Sequence, residues 1–217
     1  MALTFYYLSG SPFSWKVWLS LERKKVSYDL KVLSADAGDL KTPQFRALNP
    51  RGKVPTIVDD GFVLSESSAI VEYLDERYAT SGERLWPTDA QARAIARKIA
   101  TEGDAYIYPN VRRLVVELLM RKEGGPDTNA VADAKLALAR ELATFAANIK
   151  GPFITGREPT AADFAIYPFL AVLGRVTTGR PEQRLEAVMP DAIKPWMGQV
   201  ETLPYFATTI PPHWRKS

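Results

Sequence analysis

The sequence predicts a small α/β layer over residues 1–80, followed by an all-helical domain over 88–217. Three observations predict it. Short runs with strand character, 3–8, 27–33, 56–59 and 62–64, are confined to the first third. Beyond residue 88 every apolar stretch repeats at helical spacing. Between them lies Thr80-Ser-Gly-Glu-Arg-Leu-Trp-Pro-Thr88, a polar segment closed by a proline, which reads as a linker.

The elements follow in order. Residues 3–8 (LTFYYL) form a buried strand that ends at Ser9 and Gly10. Pro12 suits a first helical turn, where its missing N–H would be unpaired anyway. A helix then runs from Phe13 to Lys25, with Val17 and Leu21 on one face. Residues 27–33 alternate as a strand does. Pro43 to Leu48 makes a short helix. Thr56–Asp59 and Phe62–Leu64 flank Asp60-Gly61, a strong hairpin signal. Ser67, Ile70, Val71, Leu74 and Tyr78 then fall at helical spacing. This is β-α-β-α-β-β-α, an α/β layer unit. In the second part, Ala90–Lys122 reads as one long helix, kinked at Pro109. Val131 to Ile149 gives a second apolar stripe, Thr160 to Leu173 a buried helix, and 190–202 another.

Composition narrows the chemistry. The 217 residues include no cysteine and one histidine, His213. That excludes disulfides, thiolate metal sites, a protein-borne thiol nucleophile and a zinc site with two histidines. Residues 1–80 carry 10 basic and 10 acidic side chains, and the remainder 18 and 15. Neither part is a polycation, so binding to nucleic acid is not expected. The longest apolar run, Phe164–Leu173, is half of the roughly 20 residues a membrane helix needs. The N-terminus lacks the basic and apolar regions of a signal peptide, so a cytoplasmic location is expected.

Four motifs stand out. Ser9-Gly-Ser-Pro-Phe-Ser-Trp-Lys16 joins a strand to a helix start, where a hydroxyl and backbone N–H groups hold an anion. Taken by itself, Ser11 reads more readily as a plain helix cap. Asn49-Pro-Arg-Gly-Lys-Val-Pro55 precedes an extended run. A cis Val54-Pro55 bond would free Val54's backbone to pair with an extended ligand, whereas a trans bond would make an ordinary loop. Leu64-Ser-Glu-Ser67 opens a helix whose N–H groups suit a carboxylate and whose Glu66 suits an ammonium; capping by Ser65 is the simpler alternative. Thr160-Ala-Ala-Asp163 is a capping box that carries folding information.

In order and spacing these motifs resemble the glutathione S-transferase superfamily, over nearly the whole chain. Ser11-Pro-Phe-Ser-Trp-Lys-Val17 is similar to serine-type classes such as tau and zeta, and a bacterial-type member is expected. The resemblance implies a thioredoxin-like first domain and an all-helical second domain. It also implies glutathione as cosubstrate, with no metal. Ser11 matches the position whose hydroxyl donates to the glutathione sulfur. Ser14 is the strongest rival, ahead of Ser9, Tyr6 and Tyr7. Val54, before a cis Pro55, matches a backbone clamp on the cysteinyl unit. Lys53 matches a neighbour of the glycyl carboxylate, and Glu66 and Ser67 match the grip on the γ-glutamyl end. Asp104 resembles an acid that reaches this end across a homodimer. The electrophile is expected between the domains, with Phe13, Tyr106, Asn110, Arg113 and Trp214 as candidate liners. Two alternatives remain: a glutathione-dependent isomerase or lyase, and a non-catalytic interaction protein. Zeta-type isomerases have a Ser-Ser-Cys pattern where this chain has Ser11-Pro12-Phe13.

Overall fold

The computed structural model describes residues 3–121 and 123–215. The chain divides into two compact units. One comprises Met1–Trp86 with Pro204–Ser217, the other Pro87–Leu203. The C-terminal segment, expected with the helical domain, thus groups with the first unit.

In the first unit β1 (Leu3–Leu8), α1 (Pro12–Arg23), β2 (Tyr28–Leu33), α2 (Pro43–Leu48), β3 (Thr56–Asp59), β4 (Phe62–Ser65) and α3 (Ser67–Arg77) follow the expected order. The sheet order is β2-β1-β3-β4. β1 pairs parallel with β2 and antiparallel with β3, and β3 pairs antiparallel with β4. Leu3, Phe5 and Tyr7 alternate inward along β1, as a period of two requires. At the β3–β4 turn Asp60 and Gly61 both adopt positive φ, the conformation that makes Asp-Gly a hairpin dipeptide.

α1 and α3 run side by side in parallel. Near their starts Lys16 Nζ donates to Ser68 Oγ at 3.4 Å. About two turns further on, the fully buried Lys24 ammonium lies 3.5 Å from Asp75. At the far end of α3, Asp59 of β3 accepts hydrogen bonds from Tyr73 (2.7 Å) and Tyr78 (2.8 Å). Burial, then the Asp59 carboxylate, pushes the Tyr78 phenol up to about 12. It therefore remains a protonated donor throughout the neutral range.

In the second unit the expected single helix is divided. α4 (Ala90–Glu102) and α5 (Tyr108–Val115) are joined by a π-helical turn over Gly103–Ile107, and a second such turn, Val116–Met120, follows. Pro109 sits in the first turn of α5, directly after the widened segment. It has no N–H to donate and its ring crowds the preceding turn, so the α-helical bonding pattern is interrupted there. α6 (Thr128–Ala146), α7 (Ala161–Gly179) and α8 (Ile193–Glu201) complete this unit, and α9 (Phe206–Thr209) belongs to the first. α7 runs six residues beyond the expected end at Leu173 and tolerates Pro168 within it.

Asp163 organises the helical unit. Fully buried, it accepts from Thr160 N–H (2.8 Å), Thr160 Oγ1 (3.1 Å), Ile154 N–H (2.9 Å) and Trp196 Nε1 (2.8 Å). It closes the capping box of α7 while tying in α8 and the loop before α7. Burial raises its pKa, and the four donors oppose that shift. Removing the carboxylate leaves several buried donors unpaired, at about 1–3 kcal/mol each. Asp163→Ala is therefore expected to destabilise the protein by about 4 kcal/mol in denaturant unfolding. A loss under 1 kcal/mol would contradict this role.

Candidate functional site

Strand register brings three of the four motifs to one end of the sheet. Thr56 pairs with Tyr6 on one side and with Ser65 on the other. Continuing from these three positions, the chain leads to Ser9–Ser11, back to Lys53–Pro55, and on to Glu66–Ser67. Two interstrand spacings separate β1 from β4, about 10 Å. That is the length of an extended tripeptide, at about 3.3–3.6 Å per residue.

Ser11 caps α1. Its Oγ accepts from the Ser14 N–H at 3.3 Å, and its own O–H remains to donate. Ser14 is completely buried, and its Oγ has no hydrogen-bond partner among the described residues. Ser9 Oγ lies 2.6 Å from His213 Nδ1. Tyr7 is buried against Trp18 in the core, and Tyr6 packs on Phe45. Of these hydroxyls, only that of Ser11 is both at the helix start and part-exposed without a side-chain partner among the described residues.

The Val54-Pro55 bond is cis. Val54 is part-exposed, and among the described residues no loop or turn hydrogen bond engages its N–H or carbonyl. The loop is shaped by Asn49, which is buried. Its Nδ2 donates to the Lys53 carbonyl (2.8 Å) and Thr56 Oγ1 (3.3 Å), and its Oδ1 accepts from Arg51 N–H (3.1 Å). The Lys53 side chain is exposed.

α3 starts differently from α1, α2, α4, α6 and α7, each of which begins on a side-chain cap. Glu66 precedes α3 at φ 72°, ψ 110°, and its side chain does not cap the helix. The Glu66 side chain thus leaves the start of α3 without a side-chain cap of its own. The first N–H groups of α3 carry the positive end of the helix dipole and suit a carboxylate. The exposed Glu66 carboxylate beside them suits an ammonium. Together they match the two charges of an amino-acid end group.

The remaining candidates fall in both units. Phe13 is on the first turn of α1, its ring 5.5 Å from Lys16 Nζ. Trp214 packs edge-on against Trp15 at 5.5 Å. Both belong to the first unit. In the second unit Asp104 is part-buried on the widened turn, and Arg113 is exposed on α5. Asn110 Nδ2 donates to the Tyr106 carbonyl at 2.8 Å. Tyr106 lines a cleft of about 160 Å³ with Ile99, Glu102, Glu141, Phe145 and Asn148. Among the described residues no cluster of His, Cys, Asp or Glu is placed to hold a metal.

Residues 10–77 match the model of the glutathione S-transferase N-terminal domain. The chain is 30% identical over 211 residues to glutathione S-transferase 3 of Zea mays, covering 96% of this chain and 93% of that protein. The chain belongs to the glutathione S-transferase family. A crystal structure of a glutathione S-transferase from the Antarctic clam Laternula elliptica has the same fold, with a TM-score of 0.84 and 32% identity over 100% of this chain and 95% of that one. A probable maleylacetoacetate isomerase of Caenorhabditis elegans is 32% identical over 157 residues, 72% of each protein.

Within this glutathione S-transferase, three positions matter that spacing did not single out. Asn49 was legible only as part of its motif; its role depends on hydrogen bonds to Arg51, Lys53 and Thr56, which residue spacing alone does not reveal. Lys16 is 2% exposed, a cation on the buried side of α1 that ties it to α3. Its signal was a charge among the apolar residues of Trp15-Lys-Val-Trp18. His213 lies 204 residues from Ser9, and no local pattern links them. The positive φ of Glu66 costs a non-glycine residue about 1–3 kcal/mol. Glu66→Gly is expected to raise stability by about 1 kcal/mol while weakening ligand binding, checked by denaturation and calorimetry on the same variant. A fall in stability would show that Glu66 is held by contacts rather than strained for function.

Proposed function

We propose that this glutathione transferase is of the serine type, with Ser11 donating its hydroxyl hydrogen to the sulfur of bound glutathione. The carrying observation is that Ser11 presents a spare O–H at the start of α1, while the rival Ser14 hydroxyl is buried. Free glutathione has a thiol pKa near that of cysteine, about 8.5, so only a few per cent is thiolate at pH 7. A hydroxyl donor and a helix N-terminus both favour the charged sulfur. A pKa lowered by ~2 units corresponds to ~2.7 kcal/mol in favour of the thiolate.

The rest of the tripeptide follows the sheet end. Its γ-glutamyl carboxylate meets the uncapped N–H groups at Ser67, and its ammonium meets Glu66. Its cysteinyl backbone pairs with Val54 in front of Pro55, and its glycyl carboxylate lies near Lys53. The thiol proton passes to solvent. The thiolate then attacks an electrophilic carbon, forming the C–S bond as a leaving group departs or a π bond opens and is protonated by water. Phe13, Tyr106, Asn110, Arg113 and Trp214 are the proposed liners for the electrophile. A homodimer, with Asp104 reaching the γ-glutamyl amine of the partner's glutathione, and a cytoplasmic location complete the proposal.

A second reading has a specific support, the nematode relative named as a probable maleylacetoacetate isomerase. In that chemistry the thiolate adds and is expelled, so glutathione is not consumed. Product analysis separates the two: a conjugate accumulates in a transferase reaction only.

The mechanism predicts that Ser11→Ala moves the thiolate titration of bound glutathione back towards that of the free thiol and lowers kcat/KM about 100-fold. Ser14→Ala should leave the titration unchanged. Absorbance of bound glutathione against pH, with conjugation kinetics, reads both. An unmoved titration in Ser11→Ala would remove Ser11 from the mechanism.

A further inference from the structure

The histidine of this chain lies beside the turn that carries Ser11. Ser9 Oγ and His213 Nδ1 are 2.6 Å apart. The imidazole also lies over Gly10. A Cβ on Gly10 would stand 3.0 Å from His213 Cε1 and 3.3 Å from Nε2, so any side chain there would press on the ring. Gly10 has φ +85°, and the turn closes when Ser11 N–H donates to the Leu8 carbonyl at 3.0 Å. The imidazole thus covers the middle of a tight turn whose last residue is the proposed thiolate donor.

The segment that delivers His213 is firmly docked. Trp15 Nε1 donates to Thr209 Oγ1 at 2.9 Å, a buried bond, and Trp15 also packs against Phe206 and Trp214. Arg215 donates back to the carbonyls of Ile210 and Thr208, at 3.1 and 2.8 Å. Trp214 N–H donates to the Pro211 carbonyl at 2.8 Å, closing the turn that holds the imidazole. The C-terminal segment therefore grips α1 through Trp15, one helical turn from Ser11, and ends with an imidazole on the Ser9–Gly10 turn.

We infer that His213 is a positioning residue for glutathione activation: by holding Ser9 and covering Gly10 it fixes the turn that aims the Ser11 hydroxyl. The inference rests on the proposed role of Ser11. With the ring hydrogen on Nε2, Nδ1 accepts the Ser9 O–H, and the turn loses one of its few conformational freedoms. Ser11 Oγ is already held on one side by the Ser14 N–H. Fixing the turn on the other side sets where its remaining hydrogen points, and misplacement of a donor by a fraction of an ångström weakens a charge-assisted hydrogen bond to sulfur. The aim of the Ser11 hydroxyl bears on the sulfur, and Trp214, the proposed liner beside His213, keeps its own packing on Trp15, so the KM for the electrophile should not respond.

The test is a cycle of His213→Ala, Ser9→Ala and the double variant, with His213→Asn as the conservative replacement and Ser11→Ala as reference. The thiolate titration of bound glutathione is followed by absorbance, and kcat and KM are measured with an activated chloroarene. His213→Ala is expected to move the titration towards the free thiol and lower kcat about fivefold, with the KM for the electrophile unchanged. Ser9→Ala should do the same, and the double variant should add nothing further. His213→Asn, which keeps an acceptor near the Nδ1 position, should restore most of the rate. A wild-type titration in His213→Ala, or independent effects of the two single substitutions, would overturn the role of His213. If Ser11→Ala moves the titration and His213→Ala does not, only this inference falls. If Ser11→Ala itself has no effect, the serine mechanism falls and this inference with it.

Discussion

The double pairing of Thr56, with Tyr6 in β1 and Ser65 in β4, is the constraint on which the site depends. Three motifs spread over nearly 60 residues meet because these strand ends share one edge. A slip of one residue in either pairing would turn every side chain of that strand to the opposite face. The buried face resists such a slip: Leu3, Phe5, Tyr7 and Ile57 are all withdrawn from solvent. The core thus does more than stabilise the sheet. It sets the positions of a helix start, an open loop and a second helix start to within the length of one tripeptide.

The two helix starts are used differently. α1 begins on Ser11, whose oxygen satisfies the Ser14 N–H and still leaves an O–H to give. α3 begins without a side-chain cap, at a residue held at positive φ. An uncapped start gives up about 1 kcal/mol relative to a good cap. Lys16 and Ser68, and Lys24 with Asp75, keep the two helices aligned, so both dipoles point to the same end of the sheet. The local cost is offset by this packing, and the proposed function assigns the start of α3 to the γ-glutamyl carboxylate. The helical unit rests on a separate polar centre, Asp163, whose four donors come from the cap of α7, the loop before it and α8.

Much of this was legible in the sequence because the signals are local. Hydrophobic alternation, Asp60-Gly61 and the helix-start residues place β1 to α3 within one or two residues of their observed limits. The Thr160/Asp163 box is read directly and is found with both of its bonds. What was not legible is non-local. Pro109 announces a disturbance, but the resulting widened turns before and after α5 depend on how the helix packs. Pro168 marks no boundary, since α7 continues around it. Two serines three residues apart offer no local signal to choose between them; the proposal for Ser11 draws on the complete burial of Ser14. The docking of the C-terminal segment on Trp15 and Ser9 joins residues nearly the whole chain apart, and no spacing rule reaches that far.

The most direct measurement is a crystal structure of the protein with glutathione. The account predicts an extended tripeptide across the sheet end, its sulfur within hydrogen-bonding distance of Ser11 Oγ and its γ-glutamyl carboxylate on the first N–H groups of α3. A sulfur directed away from Ser11, or a γ-glutamyl end bound elsewhere than at Glu66 and Ser67, would contradict it.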